Sequence, residues 1–240
     1  MKKILSIFIV MLVFSTLVCS VQASTTDPKL SVSTGDIDLA FGVKAKIVYE
    51  VSVSITKPSS ALPGETKKWD IQLSSGALSI SVYVPSPVNK WYTASKSVPV
   101  GSYVDIPVTT GITARVKALS ITQLSVSGPA SLDTNSLSWE SEGAKSITVN
   151  TRSDAKAGEI VTVGISFKFP IYVGIVIDLL FFKKEIASAN IGAFNASPTL
   201  SESMSISALP SEMPIFLVMA AVIVVLIIAG YVVYRRRKIS

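Results

Sequence analysis

Apolar and polar residues alternate along most of the middle of this chain. Tyr49, Val51, Val53 and Ile55 fall on one side of a two-residue period, with Glu50, Ser52, Ser54 and Thr56 on the other. Leu78, Ile80, Val82 and Val84 repeat the pattern against Ser79 and Ser81, and Val161, Val163, Ile165, Phe167 and Phe169 repeat it against Thr162, Ser166 and Lys168. Successive side chains of a strand point to opposite faces, so this period predicts strands with one buried face. Between Arg115 and Gly128 the apolar phase changes from Ile121 to Leu124, which predicts a bulge or bend in a long strand. Turn-forming residues separate the runs at Lys57-Pro58-Ser59-Ser60, Leu62-Pro63-Gly64-Glu65, Pro85-Ser86-Pro87, Ser127-Gly128-Pro129 and Ser141-Glu142-Gly143. No amphipathic stripe of helical period and ordinary length interrupts them, so the body is expected to be all-β and sandwich-like.

An internal echo bears on domain organisation. Ser59-x-Ala61-x-Pro63-Gly64-Glu65 returns as Ser153-x-Ala155-x-Ala157-Gly158-Glu159, with Val53 and Ile55 before it matching Ile147 and Val149. After it, Trp69, Ile71 and Leu73 match Val163, Ile165 and Phe167. This spacing suits two tandem immunoglobulin-like sandwiches, 24–128 and 129–208; one larger two-sheet domain is the alternative. Pro170 to Phe182 is the most hydrophobic part of the body and reads as a central strand, with an apolar ligand lining or a docking patch as the competing reading. Leu200, Glu202, Met204 and Ile206 alternate with serines and predict a last strand, followed by a linker at 209–213.

Charge alters this picture only at the ends. The six cations Lys2, Lys3, Arg235, Arg236, Arg237 and Lys238 account for the whole net charge of +6, and the middle of the chain balances 16 basic against 16 acidic residues. A nucleic-acid groove would place the excess within the folded body, so no nucleic-acid partner is expected. Residues 1–23 read instead as an export signal: two lysines, an apolar core from Ile4 to Val18, and Val21-Gln22-Ala23 as a cleavage pattern, an uncleaved anchor being the alternative. Ile215 to Tyr234 is uncharged and long enough to cross a hydrocarbon core of about 30 Å, which makes 214–234 a transmembrane helix. Arg235, Arg236, Arg237 and Lys238 then act as the stop-transfer signal, with 235–240 as a cytoplasmic tail and the bulk of the chain outside.

Catalytic chemistry finds little footing. There is no histidine, and the single cysteine, Cys19, lies in the signal segment; Ser-His-Asp and Cys-His machinery is excluded, and a disulfide in the mature body with it. Lys96-Ser97 and Lys145-Ser146 place the residue types of a serine–lysine dyad side by side, but neighbours on a strand face opposite ways. Glu140 and Glu142 share a phase beside Trp139, in what reads as a solvated turn, and Asp36 and Asp38 lack the rest of a calcium loop. No enzyme, cofactor or metal site is expected. Trp69 and Trp139 sit in alternating runs and read as core, whereas Trp91 and Tyr92 follow a Pro- and Asn-containing loop and are the candidate interaction residues. Asn195-Ala196-Ser197 is a candidate glycosylation sequon, with Pro198 unfavourably placed after it.

The closing layout, Pro214-Ile215-Phe216 before the apolar span and the Arg-Arg-Arg-Lys cluster, resembles the C-terminal anchors of archaeal cell-surface proteins. In one class of these, Pro-Gly-Phe or Pro-Glu-Phe marks a tail that a sorting enzyme processes; with Ile215 in the middle position, a plain single-span anchor is the better match. Pro63-Gly64-Glu65 resembles turns of immunoglobulin-like modules in such proteins. The resemblance implies a cell-surface location. The expectation is therefore a single-pass plasma-membrane protein with an extracellular β body, in contact with lipid and with an envelope or membrane protein. An anchored module that presents a small or apolar ligand to a transporter or sensor is the alternative. The oligomeric state is left open.

Overall fold

The computed structural model describes residues 23–39, 41–179 and 182–208. The apolar core of the export signal, the 214–234 span and the cations Arg235, Arg236, Arg237 and Lys238 lie outside the described residues. Among the described residues, no helix is long and apolar enough to cross a membrane.

The alternating runs form strands throughout. They are β1 (Ala23–Thr26), β2 (Lys29–Asp38), β3 (Lys44–Pro58), β4 (Ser60–Ala61), β5 (Thr66–Leu73), β6 (Gly76–Val84), β7 (Lys90–Val98) and β8 (Tyr103–Thr109). The second half adds β9 (Ile112–Ala118), β10 (Ser120–Ser127), β11 (Ala130–Leu132), β12 (Ser136–Trp139), β13 (Gly143–Thr151), β14 (Ile160–Leu179), β15 (Phe182–Asn195) and β16 (Leu200–Ile206). The fold is all-β, as the two-residue period requires, and two eight-stranded sheets share one core, an arrangement consistent with a β-sandwich.

Two long strands organise the sheets. The first half of β3 pairs with β2 and β6, and its second half with β1 and β5. In the other sheet β14 carries β9 and β15 along Lys168 to Leu179, and β10 and β16 along Ile160 to Lys168. Each sheet is thus built from double-length lines, β1/β2, β3 and β5/β6 facing β9/β10, β14 and β15/β16. The flanking lines break midway at Asp27-Pro28, Ser74-Ser75, Leu119 and Ala196–Thr199, while β3 and β14 run through. The twenty residues of β14, at about 3.3 Å each, give a strand of roughly 66 Å.

Both described ends of the chain meet at one end of these lines. Ala23 pairs with Pro58 and Ile206 pairs with Ala61. The β2–β3 turn, the β6–β7 loop and the β8–β9 turn lie at the opposite, far end, where Lys44 pairs with Tyr83 and Ile112 with Ile177.

The border expected at Ser127-Gly128-Pro129 does not separate the sheets. β10, before it, pairs with β14; β5, far before it, pairs with β13. Gly128 is instead a tight corner with φ +90, where a Cβ would lie 2.3 Å from the Ile160 carbonyl oxygen. The sequence echo is local. It marks two copies of a strand–turn–strand unit, β3 to β5 and β13 to β14, in which Glu65 accepts from the Leu62 amide at 2.8 Å and Glu159 from the Lys156 amide at 2.7 Å. The two turns adjoin, the Gly64 amide donating to the Arg152 carbonyl at 3.0 Å.

The apolar phase change near Ile121 is likewise corrected. Ala114, Val116, Ala118, Ser120, Thr122 and Leu124 are all buried, so the inward phase continues and Ile121 faces out. Two of these inward positions carry polar side chains: Thr122 accepts a hydrogen bond from the buried Trp139 indole at 2.8 Å, whereas the Ser120 hydroxyl has no hydrogen-bond partner among the described residues.

Pro170 to Leu179 belongs to the central strand β14, with Ile171, Val173 and Ile175 in the core. Across the core, the rings of Tyr49 on β3 and Phe169 on β14 meet edge-on at 5.5 Å. The Tyr49 hydroxyl donates to the Val98 carbonyl at 3.0 Å. β16 is the last strand the alternation predicts; Leu200, Met204 and Ile206 are buried, and Glu202 on the same face pairs with Lys57 at 3.3 Å and accepts from Thr26 at 2.8 Å.

Candidate functional site

The outer face of the second sheet, in its far half, carries a cluster of charged and aromatic side chains. Its strand order there is β8-β9-β14-β15, and the register aligns two outward rows: Tyr103, Lys117 and Tyr172, then Asp105, Arg115 and Gly174. The Arg115 guanidinium donates to both Asp105 carboxylate oxygens, at 2.8 and 3.1 Å, a bidentate pair. Tyr172 donates to Glu185 at 2.5 Å and meets Tyr103 edge-on at 5.5 Å. The Lys117 ammonium lies 5.1 Å from the Tyr103 ring centre, a cation–π distance. Gly174 makes the arrangement possible, because a Cβ there would lie 2.9 Å from the Glu185 carboxyl carbon.

Together Tyr103, Asp105, Arg115, Tyr172 and Glu185 line an open depression of about 480 Å³. The hydrogen bonds from Arg115 hold the Asp105 carboxyl below its ordinary pKa, and the hydrogen bond to Glu185 raises the Tyr172 phenol. Every charge here already has a partner, so the cluster offers a rigid polar surface with one exposed ring, not a free base or nucleophile. The sequence reading missed it. Tyr172, an aromatic in the outward phase of an otherwise apolar run, is the one visible signal; the rest depends on register across four strands.

A second depression, of about 320 Å³, lies on the outer face of the first sheet between Asp36, Lys46, Ser81 and Trp91. Trp91 and Tyr92 stand at the start of strand β7, opposite Tyr83 and Val82. The structure divides the pair. Trp91 faces out with its ring 5.4 Å from that of Tyr83, while Tyr92 is half-buried beneath the Lys90 ammonium. Trp69 and Trp139 are core residues.

The remaining candidates are dispersed. Glu140 and Glu142 fall in the exposed bend between β12 and β13. Asp36 and Asp38 lie on β2, opposite Lys46 and Lys44. Among the described residues, no three or more acidic side chains gather as a metal ion's ligands would. Lys96 donates to the Asp105 carbonyl at 3.0 Å and Lys145 to the Ser138 carbonyl, so neither is paired with its neighbouring serine. Asn195 is exposed at the end of β15, and two backbone hydrogen bonds, of 2.8 and 2.9 Å, tie Ser197 to Ser31. In comparisons with known protein families, curated proteins and solved structures, the chain matches none.

Proposed function

We propose that this chain is a membrane-anchored surface protein whose two-sheet body makes non-enzymatic contacts at the cell envelope. The observation that carries this reading is the meeting of both described chain ends at one end of the body, Ala23 opposite Pro58 and Ile206 beside Ala61. The apolar export segment precedes the first of these ends. The apolar span and its four cations follow the second, after Ser207 to Met213. A body held by a membrane on that side stands with its long strands rising from the bilayer and its far loops outward.

The filling of the body supports contact over ligand carriage. Ile171, Val173 and Ile175, the residues that would line an apolar ligand site, are packed into the core, and the two depressions are open and lie on outer faces. Crosslinking on intact cells, with purification through a C-terminal tag and mass spectrometry of the partners, tests the reading. Recovery of an envelope protein linked through exposed lysines such as Lys90, Lys96 or Lys145 is expected. Extraction of the chain from membranes by alkaline carbonate would refute the anchor. Recovery of a multi-span transporter as the main partner would favour the ligand-presenting module.

A further inference from the structure

At the far end of the body the β2–β3 turn and the β6–β7 loop lie side by side; a Cβ at Gly42 would be 3.6 Å from Pro85. They present Phe41, 82% exposed, and Val88, 47% exposed, with Trp91, 40% exposed, just behind them at the start of β7. Half of the large hydrophobic side chains exposed on the described surface are gathered here. Single exposed apolar residues are ordinary, but a cluster at one extremity is not.

The backbone singles out Phe41 further. Phe41 and Gly42, in the turn between Leu39 and Val43, have consecutive positive φ, +58 and +74, left-handed backbone that favours glycine and, among other residues, asparagine or aspartate. A bulky aromatic at the first of these positions is strained, and full exposure returns none of that strain through packing. Folding alone therefore gives no reason for phenylalanine here, whereas a contact made by the turn does.

Lys44 and Lys90 stand immediately behind the two loops, Lys44 3.4 Å from Asp38 and the Lys90 ammonium over the Tyr92 ring. An apolar projection with tryptophan and lysine set back from it matches the layering of a membrane–water interface, in which rings and long cationic side chains settle at headgroup depth. A protein partner would need a pocket shaped to Phe41; a bilayer needs none.

We propose that this end is a lipid-contacting tip. Phe41 and Val88 enter the interfacial layer of a bilayer apposed to the one that holds the chain, with Trp91, Lys44 and Lys90 among its headgroups. The choice of an apposed bilayer rests on the anchored reading; the lipid contact itself does not.

The test uses the full chain in nanodiscs, mixed with fluorescent vesicles of phosphatidylcholine and phosphatidylglycerol and separated by flotation. Wild-type nanodiscs should float with the vesicles, and the double variant F41D/V88D should lower the bound fraction about tenfold or more. Ile160→Asp, at the opposite end of β14 and 60% exposed, should leave flotation unchanged. All these side chains are exposed, and aspartate is better tolerated than phenylalanine at the positive φ of position 41, so the variants should unfold thermally at or above the wild-type temperature. Failure of the wild type to float, equal flotation of F41D/V88D, or equal loss with Ile160→Asp would overturn the proposal, as would tip-to-tip crosslinking of copies without vesicle capture. If the chain does not enter nanodiscs, the anchored reading fails separately, and the same variants floated from detergent-free protein still decide the lipid contact.

Discussion

Replacing Thr122 by valine tests whether a polar side chain on the inward face is held there by its one hydrogen bond. Thr122 and Trp139 are 0% and 1% exposed, and the indole N–H donates to the threonine hydroxyl at 2.8 Å. Valine has nearly the same volume, so the variant opens no cavity and isolates the bond. Leaving a buried donor without a partner costs about 1–3 kcal/mol, and removing the hydroxyl from the core offsets part of that, for a net loss of about 1–2 kcal/mol. In a body of this size that corresponds to a melting point lower by roughly 3–6 °C. The assay is thermal and urea unfolding of the full chain in detergent, followed by far-ultraviolet circular dichroism. A double-mutant cycle with Trp139→Phe should return a coupling of about 1 kcal/mol, since Thr122→Val has no donor to strand once the indole is gone. A Thr122→Val variant as stable as wild type, or a coupling near zero, would refute the assignment.

Three further outcomes follow from packing and charge. Gly76→Ala places a Cβ 2.2 Å from the Tyr49 ring and 2.6 Å from the Glu50 carbonyl oxygen, and should lower stability in urea unfolding by about 1–3 kcal/mol; an unchanged midpoint would show that the ring yields freely. Glu202→Ala leaves the Lys57 ammonium and the Thr26 hydroxyl without their carboxylate between the sheets, a loss of roughly 1–3 kcal/mol in the same assay, and Glu202→Gln should recover part of it. The third concerns acid. Partial burial pushes the Glu65 carboxyl up, but the Leu62 amide and Lys67 outweigh it and hold the pKa below its ordinary value. A lowered folded pKa stabilises above the unfolded pKa of about 4.3 and is lost as pH falls through the folded value, so Glu65→Gln should flatten the loss of stability below about pH 4. An identical acid profile for wild type and variant would show that this turn carries no such linkage.

Strand content was legible because one face of nearly every strand is apolar, and a two-residue period survives any arrangement of the strands. Pairing was not legible. The sequence shows β14 as a long apolar alternation, but nothing in it says that β9 and β10 occupy the same flank, or that Ser120 and Thr122 replace apolar residues on the inward phase. A hydroxyl counts as polar in any pattern, and only the distance of the Thr122 hydroxyl from the Trp139 indole reveals why that one is tolerated. Trp69 shows the converse: its indole nitrogen is buried without a hydrogen-bond partner among the described residues, yet the alternating run around it marks it as core on the strength of its neighbours.

The echo at Ser59 to Glu65 and Ser153 to Glu159 shows how a true local signal misleads at the level of domains. In each copy a glutamate, one residue after a glycine of positive φ, accepts from an amide three residues back, so the sequence similarity has one physical cause. That cause is a turn, and a turn fixes how two strands are joined without fixing where their other edges pair. Here the strands after the turns, β5 and β14, go to different sheets, and the strand before the second, β13, lies beside β5 of the first. The copies interlock at the near end in place of repeating as beads. The far half of the body is then built from extensions of the same lines, β2, β6, β9 and β15, around the through-strands β3 and β14. Doubling along the strands places the Phe41 tip the length of β3 away from the chain ends, and the inner faces form a continuous core without an inter-domain linker.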